Sequence, residues 1–583
     1  MSPPSSYFDY PEPVEAPVTN KEVTMYRPVP LNNPTLSGLP LTIFSKIVSS
    51  FGPVANYLWH NAGFGALRHI DVLQPYQTRY EPVVIPRSPE SPVSDGISIF
   101  SGTLDRTFYT SADYIAAYTS GRTTPTDVAF YLLNLIKHPP HSLAFVDVRE
   151  DLTLEAATQS TIRYANGTPN GPLDGVPYVV KDEVDVHGYK TTCGSARIFA
   201  NGEGETSWTV KKLQQTGAVN IGIVNMHELG SDITNNNPVK GTPRNPYNTS
   251  YYTGGSSGGS AYAVGSGLVP FAVAADGGGS VRIPASWCGV YGIKTSHGRI
   301  SSRPSVSSTP GNGVVGPIAA TLQDLALVYR VMSEPDPHEP SSAAFPIPRA
   351  PLASIVAPPR KLLGIWKPWF NDAPESITSL CNAAVDRLVT NAGYELIELP
   401  TIPYLNEGRL AHAISIMTEM GVFTTADVSP YNAANKIFLS IGLQTSALDF
   451  ALANKMRNLL MSHFAALWQK YPGMIIVTPT SPVPSIEILE EHLAVGVSDM
   501  NTSLKTIRHV FLANFIGTPS LTVGVGYAKE NGIPIGLMGL AEWGKEEDLF
   551  GWGKDVDEGL TSSSRRRRGE IWVDVLGGAG GPK

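Results

Sequence analysis

The sequence predicts an α/β fold, a large mixed sheet wrapped by helices, from three observations. Short β-branched runs, VPYVV at 176–180 and VNIGIV at 219–224, alternate with helical stretches such as TSWTVKKLQQTG at 206–217. A chain of 583 residues is long enough to bury a sizeable core. Its composition, 42% apolar and 16% charged, is that of a globular protein, and its 55 glycines and 49 prolines imply many turns.

The elements follow in chain order. Residues 1–36 carry proline every few positions and no sustained apolar period, which predicts an extended or poorly ordered arm. From Leu39 the pattern changes: Ile43, Phe44, Ile47, Val48 and Phe51 fall on one helical face, Gly52-Pro53 interrupts it, and Leu58 and Trp59 resume it. The segment 39–65 therefore reads as a helical hairpin packed on the main domain. A second reading makes it a peripheral membrane contact or the guard of a lipid entrance. Two further helices are expected between Ser111 and Lys137, the second opening at Thr124-Pro125. The divisions are thus an N-terminal arm and helical extension over 1–100, a main domain over 101–560 and a tail over 561–583. The tail is expected to be disordered, because Arg565 to Arg568 form a charge run in a Ser/Gly-rich stretch.

Several function classes are excluded. The 43 basic against 51 acidic residues give a net charge of -8, so no basic field attracts nucleic acid. Cys193, Cys288 and Cys381 are too scattered for a disulfide framework or a metal cluster, and neither metal nor cofactor is expected. The N-terminus lacks the apolar stretch of a secretory signal, and no run of 18 apolar residues occurs. An intracellular location, cytoplasmic or peripherally membrane-associated, is the expectation.

The chemistry concentrates in TGGSSGGSAYAVGSGLVPFAVAADGGGSVRIPASWCGVYGIK, residues 253–294. It is too rich in Gly and Ser for a packed core, yet VPFAVAA and SAYAVGSG are not linker sequences. In GGGS at 277–280, consecutive glycines free several N–H groups to converge beside a serine hydroxyl, the layout of an oxyanion hole next to a nucleophile. A structural glycine bend is the alternative. The phosphate-loop pattern and the dinucleotide fingerprint are both absent. A serine nucleophile needs a base, but His227 and His297 lack a triad context such as G-x-S-x-G and read as structural. A buried lysine that sheds its charge can serve instead, and Lys181 ends the apolar run in VPYVVKDEVDV.

These residues reach a known family. PLDGVPYVVKDEVD, NMHELG, GTPRNPYN, TGGSSGGSA and ADGGGSVRIPASWCGVYGIKTSHGR resemble the successive blocks of the amidase signature family, and VVGPIAATLQDLALV, IIVTPTSPVP and ANFIGTPSLTVGVGYAKENGIPIGLMG extend the likeness over roughly residues 105–555. Within the family the sequence is most similar to fatty acid amide hydrolases of the plant type. The resemblance implies the amidase signature fold over 101–560 and cleavage of a carboxylic amide through an acyl-enzyme. The substrate it implies is a fatty acid amide or N-acylethanolamine. A short-chain or aryl amidase and a non-catalytic amidase-like binding protein are the alternatives. It also implies the site: Ser280 as nucleophile, Ser256, following a cis bond from Gly255, as proton shuttle, and Lys181 as base. The N–H groups of Gly277, Gly278, Gly279 and Ser280 would hold the oxyanion. Gly230 would meet the bound amide, and Ser257, Asp276 and Arg282 would support the loop. The family's more usual K-D-N or K-D-D is Lys181-Asp182-Glu183 here, a change expected to lie outside the triad. A homodimer remains open.

Overall fold

A run that is apolar at nearly every position, rather than at every second one, has to be covered on both faces if it forms a strand. In the computed structural model, which describes residues 6–28, 32–87, 107–348 and 360–580, the runs at Pro177–Lys181 and Val219–Val224 are buried throughout and belong to an eleven-stranded mixed sheet. Its strands are β1 (Phe145–Asp147), β2 (Pro177–Lys181), β3 (Val219–Val224), β4 (Phe271–Asp276), β5 (Tyr291–Lys294), β6 (Val314–Ala319), β7 (Leu362–Ile365), β8 (Glu395–Glu398), β9 (Met474–Pro479), β10 (Ser520–Tyr527) and β11 (Pro534–Leu540). Across the sheet they run β8-β7-β9-β11-β10-β5-β6-β4-β2-β3-β1.

The middle of this order positions the site. β2 is parallel to both β3 and β4, with Val180 opposite Ile223 on one side and Val273 on the other. Parallel neighbours end at the same edge. Lys181 at the end of β2, Asn225 just past β3 and Gly277 just past β4 therefore emerge together, at the carboxyl ends of parallel strands, the edge open α/β sheets use for ligands.

The arm over 6–28 is extended and ordered. Tyr7 and Ala16 are buried, Tyr7–Phe8 pairs with Ile85–Pro86, and the Tyr10 hydroxyl donates to Glu542 Oε1 at 2.7 Å. The expected hairpin forms as α1 (Gly38–Ser50) and α2 (Gly52–Asn61), with Pro53 in the first turn of α2, where its missing N–H costs nothing. Its apolar residues divide: Leu41, Val48, Ala55 and Trp59 are buried, while Leu39, Ile43, Ile47, Phe51 and Tyr57 face outward. The expected boundary near residue 100 lies outside the described residues.

The helices that frame the site are α3 (Gly258–Gly265), α4 (Arg282–Trp287), α5 (Leu405–Phe423), α6 (Ala433–Gly442) and α7 (Ala447–Lys470). α7 supplies Leu459, Leu460, Phe464 and Trp468 to a second core with Trp366, Phe511 and Trp543. Among the described residues no single helix is long and apolar enough to cross a membrane.

The tail corrects an expectation. Residues 561–580 are ordered, and Val573, Val575 and Leu576 join the main core. Arg566 lies over the rings of Phe108 and Tyr291, its guanidinium carbon 4.1 and 4.8 Å from their centroids, and its Nε donates to the Gly289 carbonyl at 3.0 Å. Cation–π contacts and backbone acceptors offset the removal of this charge from water. In the sequence the arginine run reads as solvated because its charge masks the apolar positions of IWVDVL behind it. Residues 581–583 lie outside the described residues.

Candidate active site

The site assembles at the shared strand edge. Lys181, buried at the end of β2, reaches Ser256 Oγ at 2.8 Å and the Ala275 carbonyl at 3.1 Å through Nζ. The Gly255–Ser256 bond is cis. The segment past β3 braces this serine from the other side, because the His227 N–H donates to the Ser256 carbonyl at 3.0 Å. His227 is buried, and desolvation lowers its pKa. Its bond to Ser256 runs through the backbone, in keeping with the structural reading of its ring.

Gly230 is where that segment turns past the serine. Leu229 and Gly230 both hold positive φ, 59° and 73°, and a Cβ on Gly230 would sit 3.3 Å from Ser256 Oγ. The expected closeness of Gly230 to the site is thus a backbone approach that a side chain would crowd.

At the end of β4, Asp276 forms a fully buried two-point ion pair with Arg282, Nε to Oδ2 and Nη2 to Oδ1, both at 3.0 Å. Burial opposes ionisation of Asp276. The charge of Arg282 and the hydrogen bonds from Arg282, Val281 and Gly279 outweigh it and hold the carboxyl well below the usual range. Arg282 also donates to Asn514 Oδ1 at 2.6 Å and to the Val510 carbonyl at 3.0 Å. Ser257 fixes the same loop, its N–H on the Ser280 carbonyl at 3.2 Å and its hydroxyl on the Ala275 carbonyl at 3.1 Å.

The loop corrects one implied role. The Gly279 N–H donates to Asp276 Oδ1 at 2.7 Å, so it is committed to the carboxylate rather than free for an oxyanion. Gly279 is required for shape instead: its φ is +112°, and a Cβ there would lie 2.5 Å from Val510 Cγ2. The N–H groups of Gly277, Gly278 and Ser280 donate to no described residue. Ser280, in the turn before α4, keeps 9% of its surface accessible, and no hydrogen bond joins its hydroxyl to Ser256.

Sequence matches decide what this arrangement belongs to. The family model described as Amidase matches residues 128–550. The chain belongs to the amidase signature family. A curated relative, the fatty acid amide hydrolase of Medicago truncatula, is 34% identical over 80% of this chain and 78% of its own. The fatty acid amide hydrolase of Arabidopsis thaliana is 34% identical over the same shares of the two chains. Among solved structures, a bacterial aryl acylamidase of the amidase signature family superposes with a TM-score of 0.68 at 22% identity, covering 82% of this chain and 99% of that one, a likeness of fold. The protein is an amide hydrolase with the mixed α/β fold of this family.

Three side chains of this amidase site escaped sequence reading. Glu183, expected to stand apart from the triad, places Oε1 2.6 Å from Lys181 Nζ. Its position two residues past the lysine is visible in the sequence, but the turn that folds it back is not: the Glu183 N–H donates to the Lys181 carbonyl at 2.8 Å. Asn514 and His412 come from the C-terminal half. Asn514 Nδ2 donates to the Asp276 carbonyl at 2.8 Å, and His412 Nε2 meets the Gly277 carbonyl at 3.0 Å. Asn514 lies in the ANFIGTPSLTV block, where nothing in the sequence points it at the glycine loop, and no local motif marks His412.

Proposed function

We propose that this amidase hydrolyses long-chain fatty acid amides, N-acylethanolamines among them, through an acyl-enzyme on Ser280. The observation that carries the chemistry is the 2.8 Å contact between Lys181 Nζ and Ser256 Oγ at the edge where Ser280 and the unused N–H groups stand. Lys181 as the amine takes the Ser256 proton while Ser256 takes the proton of Ser280, whose oxygen bonds to the amide carbon. The N–H groups of Gly277, Gly278 and Ser280 hold the resulting oxyanion. Collapse breaks the C–N bond, and the same relay, run backwards, protonates the leaving amine. Water then attacks the ester, gives its proton to the relay and releases the acid. Glu183, 2.6 Å from Nζ, stabilises the ammonium that forms between these transfers. The link between Ser256 and Ser280 tightens when substrate fills the site, as catalytic hydrogen bonds commonly do.

Support for a lipid substrate comes from the hairpin. Its exposed Leu39, Ile43, Ile47, Phe51 and Tyr57 form the kind of apolar face that enters a membrane interface. Its buried face, Leu41, Val48 and Ala55, packs on Ile437 of α6. Asn435 of that same helix bonds Ser231 and both the carbonyl and the carboxylate of Glu228, next to Gly230. The apolar surface is thereby tied to the substrate end of the site. The curated relatives named as fatty acid amide hydrolases support the same substrate class.

The test is an amide series from acetamide through aryl amides to long-chain N-acylethanolamines. Turnover should rise with chain length. Ile43→Ser together with Phe51→Ser should lower vesicle binding and long-chain hydrolysis while sparing short amides. Activity confined to short or aryl amides would overturn the lipid assignment, and equal losses on both substrates would overturn the role of the hairpin.

Gly230→Ala supplies a second check. A left-handed alanine costs about 1–2 kcal/mol, which a urea titration would read as a modest destabilisation. The new methyl beside Ser256 Oγ should lower kcat well beyond that, and wild-type kcat in the folded variant would show that the close approach is immaterial.

A further inference from the structure

We propose that His412 is a positioning residue that aims the Gly278 N–H at the oxyanion, a role that rests on the acyl-enzyme reading and names what holds its hole in shape.

His412 lies on α5 and is buried beneath the glycine loop, its ring 5.8 Å from that of Phe511 and 6.1 Å from that of Phe515. Its Nε2 stands 3.0 Å from the Gly277 carbonyl oxygen. A carbonyl only accepts, so Nε2 carries the hydrogen. Burial, above all, lowers the imidazole to about 4, so the ring is neutral near pH 7 and Nδ1 is then bare.

The consequence follows from peptide geometry. In a planar trans peptide the C=O and the next N–H point in opposite directions. The Gly277–Gly278 bond is not among the cis bonds of the described residues. Drawing the Gly277 carbonyl toward α5 therefore turns the Gly278 N–H the other way, and that N–H meets no described acceptor. The preceding peptide is treated alike: Asn514 Nδ2 holds the Asp276 carbonyl at 2.8 Å, which leaves the Gly277 N–H turned away. Two glycines in succession have little torsional preference of their own, so these two side chains supply the rigidity that a preorganised oxyanion hole requires. The approach is close: a Cβ on Gly278 would come within 3.2 Å of His412 Cε1, so a side chain there would press on the ring.

The test pairs His412→Phe, which keeps a ring among Phe511 and Phe515 but removes the donor, with His412→Gln, which retains an N–H donor. His412→Phe should lower kcat by on the order of 10²-fold with KM nearly unchanged, the mark of an interaction made in the transition state. A trifluoromethyl ketone bearing the substrate's acyl chain, which forms a tetrahedral oxyanion adduct with the serine, should weaken by the same factor. His412→Gln should recover much of both. Wild-type kcat and ketone affinity in His412→Phe would overturn the proposal. On the wild-type protein, ¹⁵N spectra of labelled histidine should find His412 protonated at Nε2, and protonation at Nδ1 alone would overturn the proposal whatever the variants do. A wild type that neither hydrolyses amides nor binds the ketone would instead defeat the acyl-enzyme reading itself.

Discussion

Ser280→Ala is expected to abolish amide hydrolysis, with kcat falling on the order of 10⁶-fold, while the protein folds and melts as the wild type does. Both halves follow from where the serine stands. Its side chain makes no hydrogen bond to a described residue, and its surface stays 9% accessible, so deleting the hydroxyl removes a reactant and leaves the packing intact. Because no partner is left unsatisfied, the substitution avoids the main source of large losses at a buried polar site. Lys181→Met should behave differently. It also abolishes turnover, but it strips the partner from Ser256, the Ala275 carbonyl and Glu183 together, so its melting temperature should fall. Parallel kinetics and melting of the two variants separate a nucleophile from a buried network member. Turnover surviving in Ser280→Ala would remove the nucleophile from the mechanism.

Arg282→Met should produce the largest loss of stability, about 3–5 kcal/mol at neutral pH. The substitution keeps much of the side-chain volume but leaves Asp276 a charged carboxylate in a fully buried site. In the wild type the folded pKa of Asp276 is depressed. The pair thus contributes stability that is present above the unfolded carboxylate value of about 4 and lost as pH falls through the folded one. Without Arg282, burial dominates and favours the neutral acid, so the variant should regain part of its deficit as pH is lowered from 7 to 5. Urea titrations at the two pH values check this. A deficit under about 1 kcal/mol would mean that the backbone bonds from Gly279 and Val281 suffice to hold the carboxylate. Activity should fall as well, since the same carboxylate fixes the Gly279 N–H.

What could be read from the sequence, and what could not, follows from how local each determinant is. VPYVV and VNIGIV announce strands β2 and β3 because both are short runs dense in β-branched residues, as strands covered on both faces are. Lys181 and the loop at 277–280 stand out because each sits in an apolar or Gly-rich segment whose shape is locally encoded, whereas Ser256 is marked only by the family resemblance of TGGSSGGSA. The pairing of β5 with β10 had no such signal, because partners that far apart in sequence are fixed only by tertiary packing. Distance also hid His412 and Asn514, which act on the loop from helices far along the chain. Gly279 looked like an oxyanion donor by its place in GGGS, and only the fold reveals that Asp276 has taken its N–H. In the tail, Arg565, Arg567 and Arg568 are exposed as the charge run implies, but Arg566 stacks on aromatic rings and Val573, Val575 and Leu576 behind it join the core.

The measurement to make first is mass analysis of the protein after reaction with a long-chain acyl fluorophosphonate, followed by peptide mapping. One adduct per chain, on the peptide carrying Ser280 and absent from Ser280→Ala, is the predicted result. An adduct on another residue, or continued amide hydrolysis by protein that takes up no label, would contradict an acyl-enzyme at Ser280.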